Sequence, residues 1–514
     1  MSKRTFLAAL ASVALLAACD KSKEDEIVSV SFSSFGFYAK DNAAVLKSDY
    51  IEESFNSDAI SFTLPYGTDP EALKTLVPEF TVTEGASVNV ADASGAPDGK
   101  DIVSGSTPID CSSDVQLVVF LKNNYKAYKL SVKIAEPAKW SKVAETALNV
   151  KYTPALAVNP KDGVPYVVGT SPNENGEPAP HLFKLDGAEL KDVAGALAIA
   201  KADGVSLSFD PTGVPYVAFA DGAFTNKYSV KRVADGKGTY VGEGGQMFGT
   251  SATLNSVSAV FPISEKDVWC AHYNNTNKVA VPRRGLNLAH YDGSGWTNGV
   301  AIAGREPASY ANGVFGSTIK GVPYLYVYGN GTKTVARHIS LYKLDAGNWT
   351  TVFENLEVNG SDGQPINPLN SFSAYFSDFD IASDGTVYLL FCALFNAAED
   401  YQIGVVKYDP ATKKQIIVGG VMTDTINMNS STTASMALDS NDVPYVSISY
   451  KDGDVMKTAV RHIDSKTKTW SELVTLASNS NFSDIVFAED GTGYIVTRET
   501  VGEDTKYVLY STAK

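Results

Sequence analysis

A short sequence unit that recurs seven times constrains the fold of this chain more than any other feature. In its clearest form it reads D-P-T-G-V-P-Y-V at Asp210–Val217, between an alternating apolar strand and a second strand that carries an aromatic residue. Turn residues between two apolar runs predict a tight β-turn. The aromatic residues of the seven units lie 49 to 64 residues apart, and a repeat of this length made only of strands is typical of a β-propeller. These residues are Tyr166, Tyr216, Trp269, Tyr324, Tyr388, Tyr445 and Tyr494.

The two ends of the repeat region predict how the ring closes. Each repeat is interpreted as four strands, but only one further strand, Tyr507–Tyr510, follows the last aromatic unit. An isolated strand, Trp140–Val143, precedes the first repeat. We expect it to complete the last blade, shared between 139–147 and 483–512, and so to cover an exposed sheet edge. The prediction is seven blades, with six as the alternative because the second and third repeats have weak fourth strands.

Residues 27–137 carry a different pattern of short alternating strands, such as Ala59–Leu64, separated by turn residues. Six or seven such strands predict a β-sandwich. The stretches F-T-L-P-Y-G-T-D at 62–69 and Y-K-L-S-V-K-I at 128–134 resemble the small immunoglobulin-like domains that open many surface lipoproteins of gut Bacteroidetes. The resemblance implies a spacer, with a binding role as the alternative. The predicted fold class is therefore all-β, an Ig-like β-sandwich followed by a β-propeller at 138–514.

Residues 1–18 have the organisation of a bacterial signal peptide. A basic start precedes the apolar run Phe6–Leu16, which is too short to span a bilayer. The following L-A-A-C resembles a lipobox, which implies cleavage before Cys19 and attachment of lipid to its thiol. An ordinary secretory signal with an incidental cysteine is the alternative.

The acidic segment 19–26 is predicted to be a solvated tether, because it is polar and has no apolar face. An acidic cluster directly after the lipidated cysteine resembles the surface-export signal of Bacteroidetes lipoproteins. The resemblance implies a lipid anchor in the outer membrane and a protein that faces the exterior, while a plain charged spacer is the alternative.

Charge and cysteine content exclude several classes of partner. The formal net charge is −15 and no cluster of Lys and Arg offsets it, so we expect no nucleic-acid partner. The four cysteines show no metal-ligand spacing. The loops Asn173–Glu177 and Asn359–Gly363 are rich in possible calcium ligands but lack a known calcium-loop spacing. We therefore expect neither a metal nor a cofactor.

The sequence contains no catalytic motif. A serine nucleophile elbow, H-E-x-x-H and a Gly-rich phosphate loop are all absent, and the five histidines are scattered. A pair of carboxylates for glycosidic cleavage would come from different blades and is not visible in a sequence. The sequence leaves enzymatic activity open but does not favour it.

Loop lengths predict where a ligand binds. Turns between first and second strands are all short, whereas several connections on the opposite face are long, and binding residues concentrate on loops above a rigid scaffold. Aromatic rings stack on sugar faces, and Arg side chains bind hydroxyl groups. The predicted ligand-binding residues, in blades three to five, are His272, Tyr273, Arg283, Arg284, Arg305, Tyr310, Tyr375, Phe376 and Phe395.

These observations predict a cell-surface lipoprotein that uses one propeller face for binding, with glycan capture as the first hypothesis. A polysaccharide or an outer-membrane protein is the expected partner. Two alternatives stay open: a propeller-based glycoside hydrolase or lyase, and a structural subunit of an outer-membrane complex.

Overall fold

The computed structural model describes residues 29–512 except for a set of internal segments, and it separates into two compact units. The first contains the residues up to Thr63 together with Glu71–Lys133, and the second contains Leu64–Pro70 and Ile134–Lys514. The internal residues outside the description are 56, 93–95, 138, 225–226, 249–256, 275–284, 301, 303–312, 329–338, 359–374, 395–400 and 423–432.

The described part of the first unit is built from eight strands. They are β1 (Phe32–Phe37), β2 (Tyr50–Glu52), β3 (Ala59–Leu64), β4 (Pro78–Val82), β5 (Ser87–Ala91), β6 (Pro97–Asp101), β7 (Val115–Leu121) and β8 (Asn124–Ile134). They form two antiparallel sheets with the orders β2-β1-β4 and β3-β8-β7-β5-β6. One 3₁₀ helix, Pro70–Thr75, follows β3. Among the described residues, no helix has the length and apolar character needed to span a membrane.

The two sheets of this unit enclose an aromatic core. Strand β3 alternates exposed and buried residues along its whole length, as its sequence predicts. The Phe32 ring of one sheet lies 5.0 Å from the Tyr128 ring of the other, and Phe35 stacks on Phe62 at 6.2 Å. All four side chains are buried, so the unit is a β-sandwich.

The second unit is a seven-bladed β-propeller, in which each blade is an antiparallel sheet of four strands. The strands of blades 1 to 3 are β10–β13 (Ala155–Val158, Pro165–Pro172, Pro178–Asp186, Glu189–Asp192), β14–β17 (Ala202–Phe209, Pro215–Asp221, Lys227–Ala234, Lys237–Tyr240) with the short β18 (Met247–Phe248), and β19–β22 (Val257–Ser264, Asp267–Asn274, Gly285–Tyr291, Trp296–Asn298).

The remaining blades repeat this four-stranded arrangement. Their strands are β23–β26 (Gly313–Ile319, Val322–Tyr328, Ile339–Asp345, Asn348–Leu356), β27–β30 (Tyr375–Ile381, Val387–Leu394, Tyr401–Asp409, Lys414–Met422), β31–β34 (Thr433–Leu438, Pro444–Asp452, Val455–His462, Val474–Ser478), and, in blade 7, β35–β37 (Ser480–Phe487, Gly493–Val501, Asp504–Ser511) with β9 (Ser141–Thr146).

Blade 7 is completed by β9, which lies far from its other strands in the sequence. β9 pairs antiparallel with β37, where Ala144 lies opposite Leu509. Its other edge forms a short parallel pairing with β13 of blade 1 through Glu189 and Leu190. The prediction that an amino-terminal strand closes the ring is confirmed, and the number of blades is seven rather than six.

Apolar clusters fill the spaces between neighbouring blades. A separate cluster joins each consecutive pair of blades, from blades 1 and 2 around to blades 7 and 1. The repeated aromatic residues belong to these clusters, and all are buried except the half-buried Tyr324. Because large rings bury the most apolar area, interblade packing accounts for the aromatic position of the repeated unit.

The turn within the repeated unit is held by an acidic or amide side chain. In blade 2, Oδ1 of Asp210 accepts hydrogen bonds from the backbone N–H groups of Thr212 and Val214. Neighbouring turns are also connected, because Nδ2 of Asn159 in blade 1 donates to the carbonyl oxygen of Gly213. We call the face that carries these turns the plain face.

Candidate functional site

The strand connections differ between the two faces of the propeller. On the plain face, six residues or fewer join the first and second strands of each blade. The opposite face, which we call the loop face, carries the connections from second to third strands and from one blade to the next, since successive strands run in opposite directions. Its longest connections join blades 2 to 3, 3 to 4 and 4 to 5. The predicted asymmetry in loop length is therefore present in the strand boundaries.

Most of the predicted ligand-binding residues fall in connections of the loop face but outside the described residues. They are Arg283, Arg284, Arg305, Tyr310 and Phe395.

Three other predicted residues lie at strand ends that border the loop face. Tyr273 is the last residue but one of β20, and Tyr375 and Phe376 are the first two residues of β27. Their backbone positions fit a role at the loop face, and their role in binding stays a prediction.

His272 is buried inside the propeller. It has no exposed surface, and its ring centroid lies 4.6 Å from that of Tyr228 in the neighbouring blade. Its Nε2 faces Nδ2 of Asn287 on the adjacent strand. A side chain without exposed surface packs rather than binds, so the assignment of His272 is corrected from ligand contact to interblade packing.

The connection from blade 7 to blade 1, residues 147–154, is a described part of the loop face. Nδ2 of Asn149 donates to Asp504 at 3.1 Å, and Oδ1 of Asn149 accepts from the N–H of Thr505 at 3.1 Å. The Ser171 hydroxyl donates to the Asn149 carbonyl at 2.8 Å. These bonds fix the connection to strands of both blades.

Tyr152 lies in the same connection and is exposed. Its N–H donates to Oγ1 of Thr170 at 3.0 Å, and its carbonyl accepts from the hydroxyl of Tyr507 at 2.6 Å. Tyr507 is fully buried, whereas Tyr152 is 36% exposed. The connection therefore holds an exposed aromatic residue on a fixed backbone, which sequence analysis missed because the anchoring Tyr507 is far away in the chain.

The loop Asn173–Glu177 uses polar side chains in hydrogen bonds to the protein backbone. Oδ1 of Asn173 accepts from the N–H groups of Asn175 and Glu177, at 2.9 and 3.0 Å. A carboxylate oxygen of Glu177 accepts from the N–H of Lys201. Nowhere in the described ranges do three or more His, Cys, Asp or Glu residues form a group suited to a metal ion.

A carboxylate pair lies on the innermost strands of the propeller. The first strands of consecutive blades contact one another, which places them around the central channel. Oγ of Ser435 in blade 6 lies 2.8 Å from Oδ2 of Asp378 in blade 5 and 2.9 Å from Oδ1 of Asp484 in blade 7. Two carboxyl groups from different blades therefore meet at one hydroxyl group.

These carboxyl groups also cap the free edges of the innermost strands. An innermost strand has backbone N–H groups without a partner in its own sheet, and buried N–H groups require an acceptor. Aspartates of neighbouring blades supply it, in the pairs Met436 with Asp378 (2.9 Å), Leu438 with Asp380 (2.7 Å) and Leu156 with Asp484 (3.0 Å).

Burial changes the protonation of these three aspartates. Burial raises the pKa of Asp378 to about 7, and the charge of Asp484 acts in the same direction. Burial also raises the pKa of Asp380 to about 6 and raises that of Asp484. Each of the three keeps some exposed surface. A carboxyl group that titrates near neutral pH has the protonation behaviour required of a general acid.

These aspartates belong to no recognisable motif, although the sequence of their strands is unusual. Aspartate is depleted from strands, yet β27 reads Y-F-S-D-F-D-I and β35 reads S-N-F-S-D-I-V-F. An aspartate within such a strand indicates that its carboxyl group has hydrogen-bond partners there.

Comparison with known proteins finds distant structural similarity only. No family model matches the sequence, and no curated protein is similar to it. A PL25 ulvan lyase matches 72% of this chain over 95% of its own, with 10% identity and a TM-score of 0.42. AofleA from Arthrobotrys oligospora (59% and 81% covered, 12% identity, TM-score 0.35) and an endo-arabinase from Bacteroides thetaiotaomicron (48% and 88%, 13%, 0.28) are further matches. Likeness at this level carries no information on activity or ligand.

Proposed function

We propose that this protein is a surface lipoprotein whose loop face binds glycan without chemical conversion. The observation that carries the proposal is the asymmetry of the propeller, with turns of six residues or fewer between first and second strands on one face and most of the long connections on the other. Tyr152 supports it, because an aromatic side chain held on a fixed backbone loses little entropy when it stacks on a sugar ring.

The cellular location of the protein is part of the same proposal. The lipobox-like L-A-A-C and the acidic segment after it support a lipid anchor on Cys19 at the exterior of the outer membrane. In this arrangement the sandwich acts as a spacer, and the propeller meets a polysaccharide or an outer-membrane protein partner.

Binding is tested with a soluble chain that begins at Glu24, applied to an array of polysaccharides. We expect retention of at least one polysaccharide and a Kd about fivefold or more higher for Tyr152→Ala, equivalent to about 1 kcal/mol. Tyr125→Ala is the matched control, since Tyr125 is 66% exposed but belongs to the first unit. Equal loss in both variants would contradict a role for Tyr152. Absence of glycan binding, with co-purification of an outer-membrane protein, would favour the structural-subunit alternative.

The anchor gives a second prediction. Cys19→Ala is expected to move the protein from the membrane fraction to the soluble or secreted fraction, because it removes the thiol that receives lipid. Cys111→Ala is the control, since Cys111 is a buried free cysteine. Cell fractionation measures the outcome, and a Cys19→Ala protein that still sediments with membranes would show that the lipobox assignment is wrong.

A glycoside hydrolase or lyase is the second candidate, favoured by the Asp378–Asp484 pair in the channel. Paired carboxyl groups carry out glycosidic cleavage, and burial raises the pKa of Asp378 to about 7. Their engagement with backbone N–H groups supports a scaffold role instead. Product release from a polysaccharide panel that is abolished by Asp484→Asn would favour the enzyme.

A further inference from the structure

The hydroxyl of Ser435 faces two carboxyl oxygens but has only one proton to donate. It lies 2.8 Å from a carboxyl oxygen of Asp378 and 2.9 Å from one of Asp484, and it accepts the N–H of Ile485 at 3.3 Å. A hydroxyl group has one proton to donate and two lone pairs. If both carboxyl groups were ionised, one negatively charged oxygen would face the Ser435 oxygen with no proton between them.

One protonated carboxyl group satisfies every atom of this arrangement. A carboxylic acid donates to one lone pair of Ser435, the N–H of Ile485 donates to the other, and Ser435 donates its own proton to the remaining carboxylate. The unit then contains one shared negative charge instead of two charges separated by a single hydroxyl group, which is favoured in a poorly solvated place.

The backbone contacts of the two carboxyl groups are similar. Both oxygens of Asp378 accept backbone N–H groups, Oδ1 from Phe379 and Oδ2 from Met436, each at 2.9 Å. In Asp484, Oδ2 accepts from Leu156 at 3.0 Å while Oδ1 faces the hydroxyl of Ser435, and the N–H groups of Leu156 and Ile485 both act to lower its pKa. Hydrogen bonds from N–H groups favour the ionised form, so the proton is assigned to the pair.

We propose that Asp378 and Asp484 share one proton at neutral pH, so that one of them is a neutral carboxylic acid, and that this proton joins blades 5, 6 and 7 through Ser435 in a contact that weakens as the pH rises. The proposal rests on the geometry of the channel and not on the proposed ligand. The group that faces Asp378 electrostatically is Asp484 itself. Lys320 of blade 4 and Asp442 of blade 6 act on the neighbouring Asp380.

The direction of the pH effect follows from linkage. Burial raises the pKa of both carboxyl groups, that of Asp378 to about 7, from an ordinary value of 3.8. The folded protein therefore holds a proton that the unfolded chain loses near pH 4. The stability from this proton is complete below about pH 4 and declines as the pH rises to about 7.

The experiment compares urea unfolding of the soluble full chain and its Asp484→Asn and Asp378→Asn variants from pH 5 to pH 8. Tryptophan fluorescence reports on the propeller alone, because all five tryptophans belong to the second unit. In Asp484→Asn, the new amide can donate Nδ2–H to Ser435 and accept from Leu156, so this variant reproduces the protonated acid. In Asp378→Asn, the amide has one oxygen for two backbone N–H groups, so this variant is the matched control that is expected to lose stability at every pH.

The expected result is a pH-dependent difference between the unsubstituted protein and Asp484→Asn. The ratio of their unfolding equilibrium constants should change by up to tenfold per pH unit between pH 5 and pH 7, as loss of one linked proton requires. The variant should be the more stable protein at pH 8. Parallel pH curves, or equal destabilisation by both substitutions, would overturn the proposal.

Infrared spectroscopy can be applied to the unsubstituted protein, so its main result does not depend on whether a variant folds. At pH 7 the unsubstituted protein is expected to show the carbonyl stretch of a buried protonated carboxylic acid, and Asp484→Asn to lack it. Absence of this band from the unsubstituted protein would overturn the proposal, as would its persistence unchanged in Asp484→Asn.

Discussion

Replacing Gly169 with alanine is expected to lower the free energy of unfolding of the propeller by about 3 kcal/mol. A Cβ atom at this position would lie 2.1 Å from Cε2 and 2.4 Å from the hydroxyl oxygen of Tyr507. The ring cannot easily move away, because its hydroxyl accepts the N–H of Thr170 and donates to the carbonyl of Tyr152. The added methyl group therefore forces apart strands of blades 1 and 7, and urea unfolding followed by tryptophan fluorescence measures the loss.

Two further variants assign the loss of stability to the Gly169–Tyr507 contact. Gly295→Ala is the control, since a Cβ there meets no atom within 4 Å, and it should change stability by about 0.5 kcal/mol or less. In a Tyr507→Ala background, Gly169→Ala should be almost neutral, because the clashing ring is gone. An equal loss with and without the Tyr507 ring would contradict this explanation.

The fold could be predicted because its determinants repeat along the sequence. Each blade needs the same short turn and a large apolar residue at the same place, so Tyr216 and Tyr445 mark equivalent positions in blades 2 and 6. The closing strand was predictable for a related reason. A blade with only three strands leaves an edge unpaired, and Trp140–Val143 was the unassigned strand that could cover it.

The contacts of the channel could not be predicted, because they join residues of different blades. Asp378 and Asp484 are 106 positions apart in the sequence and meet through Ser435. The local sequences of β27 and β35 do not indicate which carboxyl group of another blade lies close to each strand. The same limit applies to Tyr507, whose hydroxyl fixes Tyr152 across the junction of blades 7 and 1.

His272 illustrates a second limit of sequence reasoning. Its position near a long connection suggested a ligand contact, but side chains of a strand point alternately to opposite sides of its sheet. His272 lies on the side of its sheet that faces blade 2, where the ring of Tyr228 packs against the imidazole. Proximity to a loop in the sequence therefore did not determine exposure.

Replacing Ala144 with aspartate is expected to open the propeller at blade 7. Ala144 is 2% exposed in β9 and packs with Leu190 and Leu509 between blades 7 and 1. A buried carboxylate without a partner costs about 3–5 kcal/mol, which is a large part of the roughly 5–15 kcal/mol that stabilises a typical protein. Ser141→Asp in the same strand is the control, because Ser141 is exposed and its substitution should change stability by about 0.5 kcal/mol or less.

Supplying the closing strand separately distinguishes lost closure from general destabilisation. A chain of residues 147–514 lacks β9, so the edge of β37 is left without its partner. We expect it to unfold at a lower urea concentration than a chain of residues 139–514. A peptide of residues 139–146 should restore stability by strand addition, and the same peptide with Ala144→Asp should not, since its charge would enter the apolar cluster. Equal unfolding midpoints of the two chains would show that β9 adds no stability to the ring.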